Sequence, residues 1–303
     1  MTTKILQRWD PNGRYKFGCG SGWYLDGTRR IYDRKGEYKE KPIDVDKYRR
    51  IMEETTEFMV SRLDEAGETA PFFIIDDHSP VELDMERLAD IVDPHPFFGI
   101  RLPKNMGAGG KENILQHLLS RRVDYILRWD ADVKLDTLDL GELEAAFEDM
   151  EDAFAITSCI TYFARLDAST HDKRYFAGSN IADFVAYRSE ALERLGYSDP
   201  ELRLNEDGDL RLRALAAHDW KCYTDREITG KAVPSGAGNA SDDRSPIGEY
   251  IRDTRPFIKV VFPKNGNFRL LLNKTRPDYI DEAKDFYIGA HPIAKKLAEK
   301  LWR

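Results

Sequence analysis

The residues best suited to chemistry are carboxylates that stand where apolar runs end. Tyr125–Trp129 reads as a strand and is followed at once by Asp130-Ala131-Asp132. Carboxylates at alternate positions are hard oxygen ligands that suit Mg2+ or Mn2+, and such a cation bridges a diphosphate and offsets the charge on a departing nucleoside diphosphate. Pro71–Ile75 is a second apolar run, ended by Asp76-Asp77. Asn205-Glu206-Asp207-Gly208-Asp209 opens a stretch of helical spacing. A helix N-terminus favours carboxylates there, and one of them could take the proton from a hydroxyl. Each motif alone also has a plain reading as a capped turn or helix. The D-x-D pattern recurs at Asp44-Val45-Asp46 and Asp207-Gly208-Asp209.

The elements that must position these residues follow from periodicity and punctuation. A short first strand is expected at Lys4–Trp9, then loops and a hairpin over 10–41, where Gly18-Cys19-Gly20-Ser21-Gly22-Trp23 reads as a loop. Apolar residues at helical spacing predict a helix over Asp44–Leu63 with Asp44 as N-cap. Strands are expected at 71–75, 97–102, 125–129, 154–161 and 221–224. Helices are expected at 111–120, 143–150, 189–195 (closed by Gly196) and 207–218. Strands alternating with helices indicate an α/β fold with a mainly parallel sheet, whose ligands sit beyond the carboxyl ends of the strands. Asp76-Asp77 and Asp130/Asp132 both fall at such ends.

Bulk properties narrow the class. With 303 residues and 41% hydrophobic content the chain can build a sizeable core. No apolar run is long enough to span a bilayer, no secretory signal is seen, and three scattered cysteines form neither a disulfide framework nor a zinc spacing. A cytoplasmic setting without an obligate protein partner is the expectation. The net charge of −8 is uneven: residues 1–50 hold 13 basic against 7 acidic side chains, residues 251–303 hold 12 against 6, and the middle holds 21 against 41. An acidic middle suits a site for a divalent cation.

Together these residues resemble the GT-A glycosyltransferases, specifically the large family-2-like group. Ile74-Ile75-Asp76-Asp77-His78-Ser79 resembles the strand ending in Asp-Asp-x-Ser. Asn105-Met106-Gly107, with Asn113 opening the next helix, resembles the Asn-x-Gly…Asn segment, and Tyr125–Asp132 resembles the strand plus D-x-D. Gly178 to Arg213, through Glu206-Asp207, resembles the stretch ending in the Glu-Asp motif. The likeness covers about residues 72–224. It implies a GT-A (Rossmann-like) sheet flanked by helices. The catalytic domain would span 1–235 with an insertion at about 10–41, and a mobile loop and C-terminal helical extension would span 236–303. It implies a nucleotide-sugar donor, UDP-linked, with Mn2+ or Mg2+ as cofactor. Asp76 or Asp77 would contact the base, and Asp130 and Asp132 would hold metal and diphosphate. Asp207 would act as general base for inversion, and Glu206 would shape the acceptor side. Arg213 would orient the acidic cluster, with Asn105 and Trp9 on the donor side and Lys104 or Arg101 at phosphate. A late histidine, His291, is a candidate further metal ligand; an ordinary helix-flanking His is the alternative.

The chain departs from the group in its N-terminal insertion, in Arg128-Trp129 before Asp130, and in lacking a C-terminal membrane segment. The insertion interleaves Arg14, Lys16, Arg29, Arg30, Arg34 and Lys35 with Trp9, Tyr15, Phe17, Trp23, Tyr24 and Tyr32. Such a surface suits DNA as acceptor, a saccharide being the other candidate. The plain reading is a small aromatic subcore. The rival functions are a sugar nucleotidyltransferase and a non-catalytic nucleotide-sugar or nucleic-acid binding module. The C-terminal stretch 278–303 is amphipathic and is expected to pack back on the domain rather than on a membrane.

Overall fold

The computed structural model describes residues 3–6, 13–25, 27–32, 38–158, 174–176, 183–202, 206–232, 244–261, 269–275 and 278–301. The chain runs β1 (Thr3–Leu6), β2 (Tyr15–Trp23), the hairpin β3 (Thr28–Tyr32) and β4 (Tyr38–Pro42), α1 (Val45–Ala66), β5 (Phe72–Asp76), α2 (Met85–Val92), β6 (Phe97–Arg101), α3 (Gly107–Ser120) and β7 (Val123–Asp130). It continues through β8 (Val133–Thr137), α4 (Leu140–Asp149), β9 (Ala153–Ser158), β10 (Arg174–Phe176), β11 (Phe184–Arg188), α5 (Ser189–Leu195), α6 (Glu206–His218), β12 (Lys221–Asp225) and β13 (Thr229–Ala232). The last elements are α7 (Arg244–Thr254), β14 (Ile258–Val261), β15 (Arg269–Leu272), α8 (Tyr279–Asp285) and α9 (Pro292–Leu301).

Nine strands form the central sheet in the order β1-β6-β5-β2-β7-β11-β9-β12-β10. Six of them, β6, β5, β2, β7, β9 and β12, point the same way, while β1, β10 and β11 oppose them. The sheet is therefore mainly parallel, as expected. Its two faces bury separate apolar layers, α1, α2 and α4 on one side and α3, α5 and α9 on the other. A third cluster joins the outer face of α6 to α7, β14, β15 and α8.

Several expected elements appear where the punctuation places them. Asp44 caps α1 by accepting from Lys47 N, and Gly196, at φ 73°, ends α5. Helix α3 starts at Gly107, earlier than the periodicity indicates, so Asn113 lies inside it rather than opening it. The C-terminal stretch forms two helices, and α9 buries Ala294, Leu297, Ala298 and Leu301 against the main core, so it packs back on the domain. Among the described residues no helix is long and apolar enough to cross a membrane. Residues 233–243, which hold the expected mobile loop and domain boundary, lie outside the described residues.

The main correction concerns the glycine-rich segment. Gly18-Cys19-Gly20-Ser21-Gly22-Trp23 is not a loop but the heart of β2, hydrogen-bonded in parallel to β5 on one side and β7 on the other. Its glycines fall on alternate positions, so all three face α3. A Cβ on Gly18, Gly20 or Gly22 would stand 2.7, 2.5 or 2.6 Å from Leu119, Leu115 or Lys111 respectively. Two strand residues advance about 6.6 Å and four helix residues about 6 Å, so a glycine every second residue meets a helix side chain every fourth. The other face, with Phe17, Cys19 and Trp23, lies in the opposite apolar layer. The expected first strand exists only as β1, an antiparallel edge strand beside β6.

Candidate active site

The chain leaves β2 for β5 and β6 on one side, then returns to β7 on the other side. Such a reversal opens a crevice beyond the carboxyl ends of the flanking strands. Asp76, the last residue of β5, pairs in register with Trp23, and Asp130, the last of β7, pairs with Gly22. The two aspartate-bearing strand ends thus bracket the end of β2.

Asp76 and Asp77 are both buried but have different partners. Asp76 accepts from Ser79 N (2.7 Å) and from the Arg101 guanidinium (2.7 Å), and Arg101 also reaches Glu82 (3.2 Å). Asp77 accepts from Met106 N (2.6 Å) and Gly107 N (2.9 Å), which caps α3. Asn105 Oδ1 takes the same Gly107 N–H at 2.9 Å. Burial pushes Asp76 up, against the pull of Ser79 N–H and Arg101, and pushes Asp77 up to about 6, against its amide donors and Lys111.

Across the crevice, Arg128 on β7 turns toward α3. It donates to Glu112 (3.0 Å) and to Asp130 (2.5 Å). Burial opposes its charge, but Asp130 and Glu112 outweigh that and hold the guanidinium protonated. Next to it lies Asp183, immediately before β11. Its backbone is left-handed (φ 59°), which aspartate tolerates better than most residues, and its carbonyl accepts from Asp130 N at 2.7 Å. One Asp183 carboxylate oxygen is buried without a hydrogen bond. Burial and then the charges of Asp130 and Asp132 push it up to about 7.

Glu206 and Asp207 stand half-buried at the start of α6. Burial, then the Asp207 charge, pushes Glu206 up to about 8. Asp207 is also raised by burial, opposed by the Gly208 N–H (2.7 Å) and by Arg128 and Arg211. Asp130, Asp183, Glu206 and Asp207 therefore share one electrostatic neighbourhood around Arg128.

Other sequence candidates lie elsewhere. Arg213 is fully buried and donates to Asp209 (2.9 Å), Leu195 O (2.9 Å) and Tyr197 O (2.8 Å), so it braces α6 from behind through the last carboxylate of the acidic stretch. His291 sits near Lys104; its Nδ1 accepts from Ile293 N (3.2 Å) at the start of α9, and its own N–H donates to Asn113 (2.8 Å). Lys104 is exposed on the loop after β6. Trp9 lies outside the described residues. Sequence reasoning missed Glu112 and Asp183, and it saw Arg128 only as an oddity in an apolar strand.

The hard oxygens of Asp130, Asp132 and Asp183 suit a divalent cation, and the orphaned Asp183 oxygen is what such a cation would satisfy. Among the described residues no three His, Cys, Asp or Glu side chains form a ready-made metal cage.

No protein-family model matches the chain, and no curated protein matches it by sequence. Solved structures do match in shape. S. aureus TarS superposes with a TM-score of 0.50 at 14% identity over 72% of this chain and 36% of its own. GalNAc-T7 with UDP, GalNAc and Mn2+ gives 0.50 at 11% identity over 72% and 43%. The mannosyltransferase PcManGT from Pyrobaculum calidifontis, in complex with GDP-Man and Mn2+, gives 0.50 at 13% identity over 96% and 75%. The chain thus spans less than half the length of the first two. The likeness is one of architecture, and the architecture is the GT-A fold.

Proposed function

We propose that this chain is a metal-dependent glycosyltransferase that moves a sugar from a nucleoside-diphosphate donor, UDP-linked, to the hydroxyl of a saccharide with inversion. One observation carries the reading: on a GT-A sheet, Asp130, Asp183, Glu206 and Asp207 gather around Arg128, with Arg211 beside Asp207, so the carboxylates outnumber the guanidiniums that could neutralise them. A site with surplus buried carboxylate has a use for a cation and for a proton acceptor. Similar structures carry UDP or GDP-Man together with Mn2+. Asp130 and Asp132, with Asp183 beside them, would hold Mn2+ or Mg2+, which when bound offsets charge on the diphosphate.

Asp207 is the general base. Burial raises it, but the Gly208 N–H, Arg128 and Arg211 pull it back toward its ionised form, whereas Glu206, pushed up to about 8 by burial and then by Asp207, holds its proton and donates to the acceptor. The acceptor oxygen loses its proton to Asp207 and attacks the anomeric carbon from the face opposite the leaving diphosphate, which inverts the centre. Asp76-Asp77 anchor the base side of the crevice.

A saccharide is favoured over DNA because the aromatic platform expected for bases is depleted. Phe17 and Trp23 are core residues, and Trp23 donates to Val81 O at 3.0 Å. Arg14 pairs with Asp124, and Lys16 with Glu68 and Glu144.

The test incubates the chain with UDP- and GDP-sugars, Mn2+ and a panel of oligosaccharides and reads the released nucleotide. Nucleoside diphosphate released only with an acceptor and Mn2+ supports the reading. Pyrophosphate exchange identifies a nucleotidyltransferase instead. Binding without turnover on any acceptor identifies a binding module.

A further inference from the structure

Arg128 is committed to Asp130 and Glu112, and behind α6 Arg213 is committed to Asp209 and Arg255 to Asp199 and Asp209. Arg101, half-buried, is held by Asp76. The N-terminus of α3 is committed too, since Met106 N and Gly107 N donate to Asp77 and Gly109 N donates to Leu202 O. A dianionic ligand entering this acidic crevice therefore finds these amides of α3 already engaged. Lys111 differs. It stands on the second turn of α3, half-buried, and among the described residues it makes no hydrogen bond or ion pair.

Its position is set by Gly22. The Cδ, Cε and Nζ of Lys111 lie 2.6, 2.9 and 3.0 Å from where a Cβ on Gly22 would stand, so the whole tail lies flat over a residue that offers no side chain. Gly22 is the register partner of Asp130 on one side and of Ile75, next to Asp76, on the other. The tail thus reaches the end of β2 at the switch point, and the ammonium is near enough to Asp77 to favour its charged form. Gly18 and Gly20 meet leucines of the same α3 stripe and serve packing; Gly22 meets a cation and opens its path.

We propose that Lys111 is a donor-binding residue whose ammonium pairs with the diphosphate of the nucleotide, and that Gly22 is the groove that lets it reach. The assignment rests on the glycosyltransferase reading above. Lysine suits the role as a compact point charge with rotatable donors, able to follow phosphate oxygens as a sugar leaves.

The experiment is calorimetric titration of the Mn2+-loaded full chain with UDP, GDP and uridine, for wild type, Lys111→Met, Lys111→Arg, Gly22→Ala and the double variant Gly22→Ala/Lys111→Met. Losing one charge-assisted contact should weaken the diphosphate roughly ten- to a hundredfold. Binding of the uncharged nucleoside should stay as in wild type, and Lys111→Arg should restore most of the diphosphate affinity. Gly22→Ala should weaken UDP binding when Lys111 is present and add nothing when it is absent, because the two changes act through one side chain. Equal UDP affinity in wild type and Lys111→Met overturns the assignment, as does parallel loss of UDP and uridine. If wild type binds neither UDP nor GDP, the glycosyltransferase reading falls first and Lys111 falls with it.

Discussion

The first turn of α6 places two kinds of acidic site side by side. Asp209 faces inward and meets Arg213 at 2.9 Å and Arg255 at 2.5 Å, the latter as an ion pair outside hydrogen-bond alignment. Arg255 also binds Asp199, and all four residues are buried. Two aspartates and two arginines cancel, and the carbonyls of Leu195 and Tyr197 take further guanidinium protons. Just before Asp209, Glu206 and Asp207 look the other way and share Arg128 with Asp130 and Asp183, with only Arg211 added near Asp207. A buried charge with a full set of partners builds architecture, and one left short of partners is available for chemistry.

One substitution on each side should separate the two roles. Asp207→Asn should cut kcat about 10²- to 10⁴-fold in a transfer assay while nucleotide affinity and the melting temperature hold. Retained transfer would remove Asp207 as the base. Asp209→Ala strands two guanidiniums in the core and should lower stability by about 3–5 kcal/mol in urea titration. An unchanged urea midpoint would show that the network does not brace the fold.

Smaller effects sharpen the comparison. Gly20→Ala drives a Cβ to 2.5 Å from Leu115 and should destabilise by about 1–3 kcal/mol, read as a lower urea midpoint. The pH dependence follows from the unmatched side. Asp183 and Glu206 are raised to about 7 and about 8, above their ordinary values of 3.8 and 4.5. Between the two sets of values the folded chain binds more protons than the unfolded one, so these groups make stability fall as pH rises toward 8. Metal-free protein should therefore show a higher urea midpoint at pH 5 than at pH 8, and Asp183→Asn should narrow that gap. Asparagine keeps the left-handed backbone tolerable, so the variant isolates the charge. A gap unchanged by the substitution would exclude Asp183 as its source.

Much of this was readable from the chain because it is local. Gly196 ends α5, Asp44 caps α1, and the runs ending in Asp76 and Asp130 are strands. What stayed hidden depends on contacts distant in sequence. The glycines of β2 suggested a loop, since their reason is a helix some ninety to a hundred residues away. Their period of two, beside Phe17, Cys19 and Trp23 on the other face, was the signal available. Arg213 had a legible partner four residues upstream in Asp209, but the resemblance drew attention to Asp207 instead. Arg255 and Asp183 reach their neighbours only through the sheet and the C-terminal cluster.

Helix α3 ties the crevice to the far end of the chain. Lys111 points into the crevice, Glu112 holds Arg128, and Asn113 donates to Ser198 O (2.7 Å) and Gly289 O (3.2 Å) while accepting from His291 N (2.8 Å). Three consecutive side chains thus join the crevice, the acidic cluster and the C-terminal helix in one yoke. The backbone amide of His291, held by a buried side-chain oxygen, becomes a distant gauge of pocket occupancy. When a nucleotide quiets α3, hydrogen–deuterium exchange at that amide should slow although the ligand never touches it.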